Sequence, residues 1–140
     1  MKHLNLFLFL LIFGFTAACS SETKEATPEV QKEADSLSSE DFEQSIAALE
    51  AQGDRPEIQA QKEQAHLDYG IFLIYNADPA NMRENANDAL RQFIEVLKIN
   101  PENEKATSEI EQILGIYRTF PNREPAEDVK EDLQELGFDI

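Results

Sequence analysis

The pattern of hydrophobic and polar positions divides the chain into three stretches. Residues 4–15 are almost all Leu, Phe and Ile, whereas residues 20–37 are mainly small, polar or charged. From residue 38 onward, apolar side chains recur every three to four positions, as on one face of a helix. No stretch shows the alternation with a period of two that is typical of strands. The pattern therefore predicts an all-α domain over residues 38–140.

About five helices are predicted in this domain. The first begins at Ser38 or Ser39, and the others cover about 56–76, 82–99, 104–120 and a last segment that starts at Pro125. Each carries apolar residues at helical spacing, for example Phe42, Ile46 and Leu49; Ala86, Leu90, Phe93 and Leu97; Ala106, Ile110, Ile113, Leu114 and Tyr117; Val129, Leu133 and Leu136.

Residues at the predicted ends of these helices have the right chemistry for their positions. Ser38 or Ser39 can cap the N-terminus of the first helix, and Asn103 can cap that of the fourth. Gly53 and Gly137 occupy positions where a left-handed residue ends a helix, and Phe138 can then fold back onto the last turn. The second helix is apolar on two faces, so we expect it to be buried between its neighbours.

The first 19 residues have the features of a bacterial export signal. Lys2 precedes the apolar run, which is too short to span a bilayer, since a span needs about 20 residues. Ala17 and Ala18 then precede Cys19, an order that resembles the lipobox of bacterial lipoproteins, although Thr16 stands where leucine is commonest. The resemblance implies that residues 1–18 are a lipoprotein signal peptide and that Cys19 becomes lipidated.

The alternative is an ordinary signal peptide with Cys19 as a bystander. We favour lipidation, because the only cysteine of the chain has no partner for an internal disulfide bond. Residues 19–37 then comprise the lipidated cysteine and a flexible tether, which has too few apolar side chains to fold. Fully extended, this tether would reach roughly 60 Å.

Composition excludes several classes of function. Removal of residues 1–18 takes away one lysine and no acid, which leaves 11 basic and 28 acidic residues and a formal charge of −17. Such a surface repels phosphate backbones and anionic headgroups, so we expect no nucleic-acid partner, and membrane attachment through the lipid alone. The mature chain has one histidine, and it lacks a phosphate loop and a nucleophile elbow. We therefore predict no enzyme activity, no metal site and no cofactor beyond the covalent lipid.

The helical domain resembles the tetratricopeptide repeat (TPR). The spacing of the TPR signature occurs at His66, Tyr69, Gly70 and Leu73, then Ala89 and Phe93, and finally Pro101. In this family, the residues that match Gly70 and Ala89 let two helices approach closely, the residue that matches Phe93 fills the space between them, and Pro101 closes the repeat. The resemblance implies antiparallel helix pairs in a right-handed stack.

The resemblance covers two repeats of unequal clarity. The first, over 64–103, is about seven residues longer than the usual repeat and lacks two of its aromatics. The second, over 104–137, keeps the helix pair but has Glu111 where the small glycine would be. A small helical bundle unrelated to this family is the alternative, because it follows the same packing rules.

Repeats of this family are chiefly scaffolds for protein binding, which implies a protein partner here. The groove face of the first repeat would carry five residues of the second helix: Gln64, Leu67, Ile71, Ile74 and Tyr75. The lysines and asparagines with which some members grip a C-terminal carboxylate are missing. We favour burial of the apolar members as core, because so short an array needs its apolar surface. Docking of a partner helix and self-association into a homo-oligomer are the alternatives.

The sequence thus predicts a lipid-anchored adaptor of the bacterial cell envelope, with its domain outside the cytoplasm. The alternative is a structural or surface-coating acidic lipoprotein without a dedicated peptide groove. Ser20 follows the anchor where enteric lipoproteins retained in the inner membrane have aspartate, so the outer membrane is favoured if that sorting rule applies.

Overall fold

The computed structural model describes residues 37–120 and 122–140, which form an all-helical domain. Its five α-helices in these ranges are α1 (Ser39–Glu50), α2 (Pro56–Tyr75), α3 (Met82–Ile99), α4 (Glu104–Arg118) and α5 (Glu127–Glu135), with a short 3-10 turn over Pro79–Asn81. No strand occurs in the described part of the chain. The predicted all-α class is confirmed, whereas residues 1–36, which include Cys19 and nearly all of the predicted tether, lie outside the described residues.

Local sequence explains where the helices begin and end. The Ser38 hydroxyl accepts a hydrogen bond from the Asp41 amide, and the Asp41 carboxylate accepts one from the Ser38 amide, so a capping box starts α1. Asn103 caps α4 by accepting a hydrogen bond from the Ala106 amide at 2.9 Å. After α5, Gly137 has φ +90°, and the Phe138 amide donates to the Leu133 carbonyl at 2.9 Å.

Three predicted bounds need correction. Helix α2 ends at Tyr75, one residue before the predicted end at 76, because Asn76 leaves the helical conformation with φ −127°. Helix α4 ends at Arg118 rather than 120, since the Thr119 amide bonds to the Ile116 carbonyl and tightens the last turn. Helix α5 begins at Glu127 rather than at Pro125.

Helix α5 begins later than predicted because the residue before it contacts α3. Ala126 has an extended backbone, with ψ 152°, and its amide donates to the Asn87 side chain at 2.8 Å. Pro125 is buried. The segment before α5 is therefore tied to α3 by a hydrogen bond from a non-helical residue.

Helix α3 lies at the centre of the domain. It packs most extensively against α2 and also contacts α4 and α5, while α1 packs against α2. The fully buried side chains accordingly come mainly from α3, and include Ala89, Leu90, Phe93 and Val96. Phe42 of α1 stacks on Tyr69 of α2 with ring centroids 5.2 Å apart, which attaches the first helix to this core. The arrangement leaves the C-terminal ends of α2 and α4 beside the start of α3.

Candidate functional site

Two of the four predicted helix-packing residues, Gly70 and Phe93, meet where α2 packs against α3. Gly70 is buried, and a Cβ atom placed on it would lie 2.5 Å from the Phe93 Cε1 atom. Since real Cβ atoms do not come so close to a carbon atom, the position requires glycine unless the ring moves. Ala89 and Phe93 are completely buried, and Pro101 is exposed just after α3. We call this contact of Gly70 with Phe93, together with Ala89, the α2–α3 seam.

The five predicted groove residues of α2 differ in exposure, and only two of them line a concavity. Gln64 is exposed and donates a hydrogen bond to Asp68 on its own helix at 2.9 Å. Leu67, Ile71 and Ile74 are half-buried and pack against the hydrophobic core. Tyr75 is 54% exposed. Of the five, Ile74 and Tyr75 line a concavity, and the other three do not.

This concavity is an apolar groove of about 570 Å³. The end of α2, the 3-10 turn, the start of α3 and the end of α4 form its walls. Four of the large hydrophobic side chains that stay exposed in the described residues line it, namely Tyr75, Met82, Ile116 and Phe120. The other two, Leu37 and Ile140, stand at the two ends of the described chain. We call this concavity the apolar groove.

Hydrogen bonds hold the wall of the apolar groove that α2 and α4 share. The Tyr75 hydroxyl donates to Glu109 Oε2 at 3.1 Å, and it accepts a hydrogen bond from the Gln112 side chain at 3.2 Å. Glu109 is itself buried and forms an ion pair with Lys105 one turn earlier. The Tyr75 ring is thus fixed at the rim of the groove although much of its surface meets solvent.

Tyr117 contributes a polar atom without a partner. Its hydroxyl is buried and forms no hydrogen bond with the residues that the structure describes. Burial raises the pKa of this hydroxyl, and the nearby guanidinium groups of Arg83 and Arg123 offset part of that increase. A buried hydroxyl that lacks a partner carries an energetic cost.

The groove lining differs in charge from the rest of the chain. It includes Arg83 and Arg123, and it includes no Asp or Glu, although the chain holds 28 acidic and 12 basic residues. Neither arginine takes part in a salt bridge among the described residues, and the Arg123 guanidinium lies 5.0 Å from the centroid of the Phe120 ring. The groove is therefore an apolar site with a positive rim on an acidic protein.

The buried His66 and the half-buried Glu63 have hydrogen-bond partners within the domain. The His66 ring nitrogen Nδ1 lies 2.8 Å from Gln92 Oε1, which links α2 to α3. Glu63 accepts hydrogen bonds from Asn100 and Asn103 at 2.8 and 2.7 Å. No cluster of His, Cys, Asp or Glu suited to a metal ion occurs in residues 37–120 and 122–140, and no helix there is long and apolar enough to cross a membrane.

Sequence reasoning missed Met82, Ile116, Phe120 and the two arginines as parts of a site. One signal for Ile116 was present: it lies off the stripe of inward-facing residues on α4, so its apolar side chain had no assigned place in the core. Met82 and Phe120 flank predicted turns, where exposure depends on how neighbouring helices end.

Comparisons with known proteins add no relative from which a role could be inferred. No protein-family model matches the chain, and neither the curated proteins nor the solved structures contain a significant match. The site must therefore be interpreted from its own geometry.

Proposed function

We propose that this protein is a membrane-anchored lipoprotein that acts as a protein-interaction adaptor in the bacterial cell envelope. In this proposal residues 1–18 are removed as a signal peptide, and Cys19 carries the lipid. The apolar run, the small residues and the cysteine, in that order, support the anchor. Two or more acyl chains suffice for stable attachment, whereas one chain binds only marginally.

The observation that carries the adaptor function is the convergence of exposed apolar side chains on the apolar groove. A single exposed hydrophobic residue needs no explanation, whereas a contiguous set marks a binding surface. Ile116 and Met82 remain 54% and 68% exposed in the isolated chain. A partner that covers them gains hydrophobic free energy at about 25 cal/mol per Å² of apolar surface buried.

A TPR-like stack is the architecture that we propose for this adaptor. Helices α2 and α3 would form the clear repeat over 64–103, with α1 as a cap, and α4 and α5 the degenerate repeat over 104–137. The close approach at the α2–α3 seam supports the first repeat. The second departs further from the pattern, since α5 makes its main helix contacts with α3.

The proposed place of action is the outer membrane, with residues 19–37 as a tether that holds the domain away from the lipid. The acidic charge keeps the domain off anionic headgroups, so the groove stays available to a protein partner. In this proposal the lipid on Cys19 holds the groove near the membrane surface.

In-cell photo-crosslinking tests the adaptor function. A photoreactive residue at position 116, inside the groove, should capture one defined envelope protein. The same residue at position 134, which is exposed on α5, is the matched control and should capture none. Adducts of lipid or solvent alone at position 116 would count against an adaptor.

Fractionation tests the anchor separately. Cys19→Ala should release the protein from the membrane fraction, and mass spectrometry of the wild-type protein should find an acylated Cys19 at the N-terminus. An unmodified Cys19 inside a mature chain would refute the lipoprotein assignment and leave the groove unaffected.

A further inference from the structure

We infer that the apolar groove accepts a protein segment in which apolar side chains stand beside a carboxylate, with Arg83 and Arg123 as the subsite for that carboxylate. This inference rests on the proposed adaptor function, because it specifies the chemistry of the partner at the same groove. The carboxylate that we infer belongs to an Asp or Glu side chain within the bound segment.

Charge complementarity is the first step. The groove is lined by two arginines and by no acidic residue, on a chain whose formal charge is −16. The acids next to them in sequence are Glu84 and Glu124. Neither forms a salt bridge with Arg83 or Arg123 among the described residues, and Glu124 pairs with Lys130 at 2.9 Å. Arg83 and Arg123 therefore keep their hydrogen-bond donors available, and carboxylates are the groups that guanidinium binds best.

The apolar walls supply the second step. Met82, Ile116 and Phe120 are between 47% and 68% exposed, so the groove is open to solvent along one side. An open apolar concavity suits side chains projecting from a peptide backbone, as when an amphipathic helix lies in a groove. Arg123 lies over the Phe120 ring, which places the cationic and apolar parts of the site next to each other.

The third step excludes a second copy of this chain as the favoured occupant. Two copies without residues 1–18 would each bring a formal charge of −17, and like charges of that size oppose association. A partner segment can carry one carboxylate on an otherwise neutral or basic surface, so it gains the arginine contacts and avoids the general repulsion. The net negative charge of the chain thus favours a basic partner, whereas the two arginines of the groove favour an acidic one, and peptides of different charge distinguish the two effects.

The test uses three synthetic peptides that differ only in charge. Each is an amphipathic, Leu-rich helix of about 14 residues with blocked termini and the same neutral fluorophore, and a central pair of residues is Glu, Gln or Lys. Fluorescence anisotropy measures their binding to the full chain in nanodiscs of zwitterionic phospholipid, and empty nanodiscs correct for binding to lipid.

We expect the Glu peptide to bind at least about tenfold more tightly than the Lys peptide, because charge-assisted hydrogen bonds are stronger than neutral ones. The double variant Arg83→Glu, Arg123→Glu should reverse this order. The matched control Arg55→Glu, Lys98→Glu changes the net charge equally, lies outside the groove lining and should keep the order.

Each other result contradicts the inference in a recognisable way. Tighter binding of the Lys peptide would mean that the net charge decides, and equal binding of all three would mean that the arginines are bystanders; both overturn the inference and leave docking in the groove intact. No binding of any peptide would overturn the inference, and crosslinking from position 116 would then decide separately whether the adaptor function stands.

Two further outcomes would assign the groove to the chain itself. If a peptide of residues 20–36 bound more tightly than the designed peptides, the occupant would be the chain's own acidic segment. If the protein sedimented as a dimer that Ile116→Glu converted to a monomer, the occupant would be a second copy.

Discussion

The α2–α3 seam and the apolar groove are built from the same kinds of side chains but have opposite relations to water. At the seam, Phe93 is 0% exposed and fills the space above Gly70. In the groove, Ile116 and Phe120 are 54% and 47% exposed, and no helix of residues 37–120 and 122–140 covers them. The buried seam side chains stabilise the isolated chain, whereas the exposed groove side chains are removed from water only when something binds them. The difference separates residues that maintain the fold from residues available for function.

The largest predicted effect is at the seam. Phe93→Ala should destabilise the domain by about 3–5 kcal/mol, because it removes a fully buried ring and leaves a cavity. Urea denaturation followed by circular dichroism measures the change. Ile116→Ala is the control from the groove and should change stability by less than about 0.5 kcal/mol, since its side chain is largely exposed. Similar losses for both variants would contradict the division between seam and groove.

The next effect tests the close approach at Gly70. Gly70→Ala should cost about 1–3 kcal/mol, because the new methyl group would lie 2.5 Å from the Phe93 ring and overpack the seam. Gly115→Ala, on α4, is a matched control with no atom within 4 Å of the added Cβ. There the better helix propensity of alanine should stabilise the protein by about 0.5–1 kcal/mol. If both substitutions stabilised the domain, the seam would be looser than described.

A third prediction compares a tyrosine hydroxyl at the groove with one at the contact between α1 and α2. Tyr117→Phe should be neutral or stabilise the domain by up to about 1 kcal/mol, because it removes a buried hydroxyl without a partner. Tyr69→Phe removes a hydroxyl that donates to Glu43 at 3.0 Å, so it should destabilise by about 0.5–1.5 kcal/mol. Thermal denaturation of both variants makes the comparison. A clear loss of stability in Tyr117→Phe would indicate that its hydroxyl has a partner in solution.

Much of the fold could be predicted from sequence because it depends on local signals. Both ends of α3, the capping roles of Ser38 and Asn103, and the left-handed conformation of Gly137 follow from residue chemistry within a few positions. The start of α5 was predicted two residues early, because Ala126 is held in an extended conformation by Asn87, a residue nearly 40 positions away. No local pattern encodes such a contact.

The candidate site was predictable only in part, for the same reason. Ile74 and Tyr75 were identified from the apolar face of α2. The groove, however, forms where the ends of α2 and α4 meet the start of α3, so the exposure of Met82 depends on how three helices are placed. The positive rim could not be predicted from the sequence either, since Arg83 and Arg123 are 40 positions apart in an acidic chain.

The smallest predicted effect lies outside both regions, at the exposed ion pair of Arg91 on α3 with Asp128 on α5. The Arg91 side chain donates to the Asp128 carboxylate at 2.9 Å, and this hydrogen bond lowers the pKa of Asp128 below its ordinary value of 3.8. Because the folded pKa is the lower one, the contact stabilises the fold above the unfolded pKa, and its contribution is lost as pH falls through 3.8 toward the folded value.

Asp128→Asn should therefore lower the melting temperature slightly at pH 7, and the difference from the wild type should shrink between about pH 5 and pH 3. Melting curves across this range, repeated at high salt, measure it, and salt should reduce the difference because both groups are exposed. A pH-independent difference would show that the substitution acts through packing of α5. A loss of stability as large as that of Phe93→Ala would mean that the exposed Arg91–Asp128 ion pair is as important to the fold as the buried seam.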